Sequence, residues 1–145
     1  MSAPLFTYGS LMLPEVMEIL AGRRLPSRAA VIAGYARHAL RGVVYPAVVP
    51  AAGARVAGVL WEGLDAAALA LIDRFEGELY ERAACEAEVA GGGGVAAQVY
   101  VLAPAYRARL LAHDWDEAEF RRLHLTRYLE GCRGFVRETP APRPR

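Results

Sequence analysis

Four consecutive glycines at residues 91–94 separate two runs, 82–89 and 95–102, that are rich in alanine and valine and long enough to be strands. Glycine adopts positive φ without a Cβ clash, so such a run between extended segments makes a tight reversal and pairs its flanks as an antiparallel hairpin. The same run excludes another reading of glycine-rich sequence. A phosphate cradle needs a lysine and a helix after the glycines, and neither follows here. The fold must therefore be built around an antiparallel pair.

The remaining elements follow from the same local rules. Residues 4–8 form a short apolar strand that ends at Gly9. Pro14 opens a helix in its first turn, and Gly22 stops it after Ala21. Residues 28–32 and 35–40 read as two strands punctuated by Gly34; residues 43–49 are extended around Pro46, and 55–61 alternate as a further strand. Asp65 is an N-cap for a helix over 66–75, and 104–111 make a short helix. Asp116 with Glu119 resembles a capping box. It starts a last helix that runs to about Glu130 and is ended by Gly131 and Gly134, with Ala118, Leu125, Tyr128, Leu129 and Cys132 on one stripe. Strands outnumber helices and do not alternate with them, which predicts an α+β fold with a mainly antiparallel or mixed, barrel-like sheet. Residues 1–138 form a single domain. The tail 139–145, with three prolines and two arginines, is expected to be disordered.

Composition narrows the function classes. A chain of 145 residues, 54% hydrophobic, holds one ordinary core. A net charge of +1, with scattered arginines, gives no electrostatic case for nucleic acid or an anionic membrane. All 17 basic side chains are Arg, and there is neither Lys nor Asn. The bias points to a GC-rich bacterial genome, and the missing Lys excludes Schiff-base chemistry on the chain. Cys85 and Cys132 have no zinc-motif spacing and read as reduced, packed thiols of a cytoplasmic protein. His38, His113 and His124 lie far apart without helical pairing, so no metal site is expected. The N-terminus lacks a signal-peptide pattern, and no segment approaches the roughly 20 apolar residues of a membrane span.

Two places carry chemistry. On the helix after Asp65, the residues Leu69, Ile72 and Phe75 share the buried face by helical spacing, and Glu76 extends that stripe with a carboxyl. A carboxyl that is partly desolvated at the negative end of a helix has its pKa raised, as a general base working near neutral pH requires. A side chain turned out to water at the helix end is the plainer alternative. The second place is the turn Tyr8-Gly9-Ser10-Leu11, at the end of an apolar strand. Gly9 allows the backbone to approach a ligand, and the N–H groups of such a turn can hold an anion or oxyanion. An ordinary strand-to-helix turn is the plainer reading on its own merits. Ser10 lacks the Gly-x-Ser-x-Gly context of a serine nucleophile. Asp114, Trp115 and Asp116 read as a turn and N-cap, and Trp61 and Trp115 as core or rim aromatics.

In order and spacing, these segments resemble the γ-glutamylcyclotransferase-like superfamily. The resemblance rests on Tyr8-Gly9-Ser10-Leu11, then Arg41-Gly42-Val43-Val44-Tyr45-Pro46-Ala47 and Gly58-Val59-Leu60, then Leu71-Ile72-Asp73-Arg74-Phe75-Glu76-Gly77 and Tyr80-Glu81-Arg82. The stretch from Asp114 to Phe120 is similar to the plant avirulence-induced-gene-like branch and its bacterial relatives. The resemblance spans roughly residues 5–135. It implies a small mixed, mainly antiparallel β-barrel flanked by helices. It also implies attack of a γ-glutamyl α-amine on its own γ-carbonyl, giving 5-oxoproline and a free amine or amino acid. Tyr8, Gly9, Ser10 and Leu11 would then hold the small-molecule γ-glutamyl substrate and Glu76 would be the base. Arg41, Tyr45, Tyr80 and Arg82 become pocket candidates, and no cofactor is required. A non-catalytic binding module with the same pocket is the alternative, followed by a hydrolase using Ser10 and by an interaction protein using the Arg-rich last helix.

Overall fold

A computed structural model describes residues 3–138, so the expected tail lies outside the described residues. Among the described residues the strands are β1 (Leu5–Thr7), β2 (Ser27–Ala39), β3 (Pro46–Trp61), β4 (Tyr80–Val89) and β5 (Gly93–Leu102). The helices are α1 (Pro14–Ala21), α2 (Ala66–Glu76), α3 (Glu117–Leu123) and α4 (Leu125–Glu138), with 3-10 turns at Ser10–Met12, Gly77–Leu79 and Pro104–Arg109. The strands close a barrel in the order β1-β3-β2-β4-β5. Every pairing is antiparallel except β1 with β5, where Leu5 faces Gln98 and Phe6 faces Val99 in parallel. The mixed, mainly antiparallel barrel with flanking helices is the fold the sequence implied.

Alternation along the strands sorts side chains into two cores. Phe6, Tyr8, Ile32, Val48, Leu60 and Val99 fill the barrel. Leu5, Trp61 and Leu102 point the other way and pack with Val16, Met17, Leu20, Ile72, Phe120 and Cys132 of the helices. One-residue alternation thus gives each strand two buried faces where helices cover it. α1 packs on α4 and α2 and ties the helical layer together.

The hairpin forms as expected: β4 and β5 pair from Tyr80↔Leu102 to Val89↔Gly93, and Gly91 and Gly92 take φ of 94° and 87°. Asp65 caps α2, its carboxylate accepting from the Ala68 N–H at 2.8 Å. Asp65→Ala is expected to cost about 1 kcal/mol, read as a lower midpoint in urea unfolding with an unchanged slope.

Three sequence readings are corrected. Gly34 does not separate two strands. It sits at φ 84° in a bulge between Ala33 and Tyr35, and β2 continues through it. Residues 43–49 and 55–61 are likewise not separate, because β3 is continuous from Pro46 to Trp61 against β2. The last helix is broken at His124, and Gly131 and Gly134 lie inside α4 instead of ending it. Ala118 leaves the proposed stripe for solvent, and Phe120 is the buried residue of α3. Packing of Cys132 and its neighbours in the helical core, where α4 lies against α1, offsets the helix cost of each glycine, about 1 kcal/mol. Trp61 and Trp115 are both buried, as read.

Candidate functional site

A cavity of about 1140 Å³ opens between the barrel and α4. Its barrel wall is made by residues 6–11 with Tyr45, Pro46, Tyr80 and Tyr100; Phe75 and Glu76 enter from the end of α2. Its helical wall comes from Leu123, His124, Arg127, Tyr128, Gly131, Cys132 and Phe135.

Glu76 reaches the cavity because α2 begins at the Asp65 cap and stays helical for three turns, with Leu69 and Ile72 locked in the core. The carboxyl makes no hydrogen bond or ion pair among the described residues. Desolvation, reinforced by the negative Asp73 one turn earlier, pushes its pKa up to about 8.

Asp73 is held in turn. Arg82 clamps it in a two-point ion pair at 2.9 and 3.0 Å, and the Tyr100 hydroxyl donates to it at 2.6 Å. Tyr8 closes the circuit, donating its hydroxyl to the Tyr100 carbonyl at 2.6 Å. The last turn of α2 is therefore braced against β4, β5 and the glycine turn. Asp73→Asn removes the neighbouring charge, so Glu76 is expected to titrate lower. In activity against pH, any rise governed by Glu76 should move to lower pH than in the wild type.

The glycine turn is braced from several sides. Trp61 donates its indole N–H to Thr7 Oγ1 at 3.1 Å and to the Leu11 carbonyl at 3.0 Å. Arg37 donates to the Tyr8 carbonyl at 2.7 Å while paired with Asp114. The Met12 and Leu13 N–H groups turn back onto the Gly9 and Ser10 carbonyls, and no side chain caps the 3-10 turn. Gly9 has φ −131°, so left-handed backbone is not what requires it. The requirement is space: a Cβ there would lie 2.7 Å from Pro46 Cδ.

The phenols around Glu76 are neutral donors. Burial pushes the pKa values of Tyr8, Tyr45, Tyr80 and Tyr128 up, and the nearby Glu76 charge adds to each. Tyr80 donates to the Pro46 carbonyl at 2.6 Å, and Tyr128 shares a 2.8 Å hydrogen bond with Ser10. The Tyr45 hydroxyl has no hydrogen-bond partner among the described residues.

The structure thus brings Glu76, Tyr8, Gly9, Ser10, Leu11, Tyr45 and Tyr80 to one cavity. It does not bring Arg41, which is exposed with its N–H on the Arg109 carbonyl. Arg82 is also outside the lining, acting on Asp73 from the barrel's outer side. Sequence reasoning missed Tyr100 and the cavity role of α4. Tyr128 stood on the apolar stripe of the last helix, yet its polar tip facing Ser10 has no local signature. Cys132 lines the cavity as a buried free thiol, its pKa pushed up to about 11 by burial. His38 is occupied by the Leu111 carbonyl at 2.9 Å. No helix among the described residues is long and apolar enough to cross a membrane.

A closed mixed barrel that carries a helix-borne carboxyl opposite a glycine turn defines a recognisable class. The chain belongs to the gamma-glutamyl cyclotransferase, AIG2-like family, which matches it over residues 5–117. It is 30% identical over 140 residues to AIG2-like protein D of Arabidopsis thaliana, covering 95% of this chain and 91% of that protein. Protein AIG2 C of the same plant is 31% identical over 129 residues, covering 88% and 78%. A solution structure of an Arabidopsis thaliana protein superimposes with a TM-score of 0.71 at 30% identity, over 94% of this chain and 82% of that one. A gamma-glutamyl cyclotransferase structure shares the fold at a TM-score of 0.60 and 15% identity, over 91% and 86%.

Proposed function

We propose that the protein closes a γ-glutamyl group to 5-oxoproline and releases the amine bound to its γ-carbonyl, with Glu76 as general base. The observation that supports this most is the Glu76 carboxyl lining the same cavity as the glycine turn, without a hydrogen-bond partner among the described residues and with its pKa pushed up to about 8 by burial. The α-ammonium of the substrate gives a proton to the Glu76 carboxylate. The freed nitrogen attacks the γ-carbonyl carbon, the new N–C bond forms, and the carbonyl oxygen becomes an oxyanion. N–H groups of the Tyr8–Leu11 turn stabilise that charge. Glu76 then returns that proton to the leaving nitrogen, and the oxyanion re-forms the carbonyl as the old C–N bond breaks. The carboxylate takes the second proton from the positively charged ring nitrogen; that proton departs with the released amine as its ammonium form, leaving a neutral lactam. No water is consumed, and the step needs no metal or redox partner.

Because ring closure is intramolecular, much of the rate comes from holding the folded rotamer. Neutral phenols suit this task, since they donate to the substrate carboxylate without repelling it. Tyr45, with its hydroxyl uncommitted, is the phenol proposed to contact substrate. Tyr8 and Tyr80 hold the walls.

The test is mass-spectrometric detection of 5-oxoproline after incubation with γ-glutamyl peptides and γ-glutamyl amines, wild type beside Glu76→Gln. Product that depends on Glu76 establishes cyclotransfer. Silence across the panel from a folded protein sinks it and favours a binding module.

A further inference from the structure

The cavity is larger than the proposed reaction needs. A γ-glutamyl group is a short chain with one amine and two carbonyl ends, whereas about 1140 Å³ exceeds the roughly 300–1,000 Å³ of pockets that enclose drug-sized ligands. The groups that would do the chemistry, residues 8–11 and Glu76, lie inside the family-matched segment 5–117. The helical wall lies after it, on residues 123–135.

That wall has a distinct chemistry. Phe75, Tyr128 and Phe135 meet edge-on, with ring centroids 6.1 Å apart for Phe75 and Tyr128 and 5.3 Å for Phe75 and Phe135. Tyr45 joins from the barrel at 6.3 Å from Tyr128. Leu123, at 60% exposure, is the one exposed large hydrophobic among the described residues, and it lines this cavity. Gly131 leaves a gap in the same wall: a Cβ placed there meets nothing within 4 Å. An aromatic surface next to the carboxyl, a notch in the helix and an apolar residue at the rim form a continuous subsite.

We infer that this subsite binds the leaving amine, and that the amine carries a bulky arylalkyl group. The inference rests on the cyclotransferase reading for the bond that breaks, but the subsite is defined by α4 and not by Glu76. Edge-to-face contact suits an aryl ring better than a linear chain, and the apolar rim favours a body that continues towards solvent. Arg127 and Glu130 both line the wall, so the arylalkyl group can belong to a simple amine or to an aromatic amino acid whose carboxylate meets the Arg127 guanidinium.

The experiment compares kcat/KM for γ-glutamyl-phenethylamide, γ-glutamyl-phenylalanine, γ-glutamyl-methylamide and γ-glutamyl-glycine. Binding of all four to the Glu76→Gln protein is measured by calorimetry. The arylalkyl compounds are expected to exceed their small counterparts at least tenfold in both readouts. The ranking of phenethylamide against phenylalanine then says whether the carboxylate is read. Leu123→Ala and Gly131→Leu should each reduce the preference at least threefold; the first removes the rim and the second fills the notch. Both positions face open space, so neither variant threatens the fold, and a cooperative melt verifies this. Equal or better handling of the small compounds overturns the subsite while leaving cyclotransfer intact. Tenfold tighter arylalkyl binding with no turnover upholds the subsite and sinks the cyclotransferase reading. Neither turnover nor binding preference overturns both.

Discussion

Glu76→Gln is expected to cut 5-oxoproline formation about a thousandfold and, at pH 9, to make the protein more stable than the wild type. The rate effect is that of losing a positioned general base, about 10²–10⁴-fold. The stability effect follows from the same burial. The carboxyl titrates at 4.5 when unperturbed and at about 8 in the fold, so the native state holds the proton more tightly than the unfolded chain does. Below about pH 4.5 the folded and unfolded chains both carry the neutral acid, and this contribution is fully present. It is lost progressively as the pH rises to 8, because the fold must then house a desolvated anion. The amide mimics the neutral acid at every pH. At 1.36 kcal/mol per pH unit the ceiling is about 5 kcal/mol, and the cavity's opening to solvent brings the expected gain to about 2 kcal/mol. Urea unfolding at pH 5 and pH 9 measures it: the two proteins should agree at the first pH and diverge at the second. The wild-type activity should rise with pH to a midpoint near 8. A variant that lost activity without gaining alkaline stability would show that Glu76 is not the desolvated group the structure describes.

Gly58→Ala is expected to destabilise the protein by about 3 kcal/mol and to lower activity with it. A Cβ at residue 58 would stand 2.1 Å from the Thr7 carbonyl oxygen and 2.8 Å from Phe6 Cζ. The first of these is backbone, so relief requires β1 to move, and overpacking of this kind costs about 1–3 kcal/mol even where side chains yield. The strand that must move ends in Tyr8-Gly9-Ser10-Leu11, whose brace depends on the Thr7 hydroxyl between Trp61 and the Val59 carbonyl. Chemical unfolding with a parallel activity assay checks both effects. A variant of wild-type stability would mean that β1 can shift from β3 without loss of packing, and would overturn the expectation. Gly9→Ala meets only the Pro46 ring and should cost less in stability, its effect falling mainly on the cavity wall.

The two glycines mark the boundary of what can be read from sequence. Asp65, the Gly91–Gly92 turn and the Pro14 start are legible because each signal acts within a few residues: a side chain meets its own helix end, or a backbone takes positive φ. Glu76 is legible for the same reason, since helical spacing from Leu69 and Ile72 fixes its face. The parallel seam of β1 with β5, which closes the barrel, has no such signal, because Leu5 and Gln98 are far apart in the chain. Gly34 reads as punctuation, and only the pairing of β2 with β3 turns it into a bulge. Arg82 is conspicuous in the motif, yet its partner is Asp73 outside the cavity, and Arg41 points to neither. Tyr100 and Tyr128 entered the site unannounced, one from near the end of β5 and one from a helix stripe.

The sequence by itself determined the glycine hairpin, the capped helix with the face that carries the carboxyl, and the family, because those depend on local backbone preferences and on motif order. Only the tertiary structure decided which groups surround Glu76, how far its proton affinity rises and how much room lies beside it. Those properties depend on solvent exclusion and on distances between residues that the chain holds far apart.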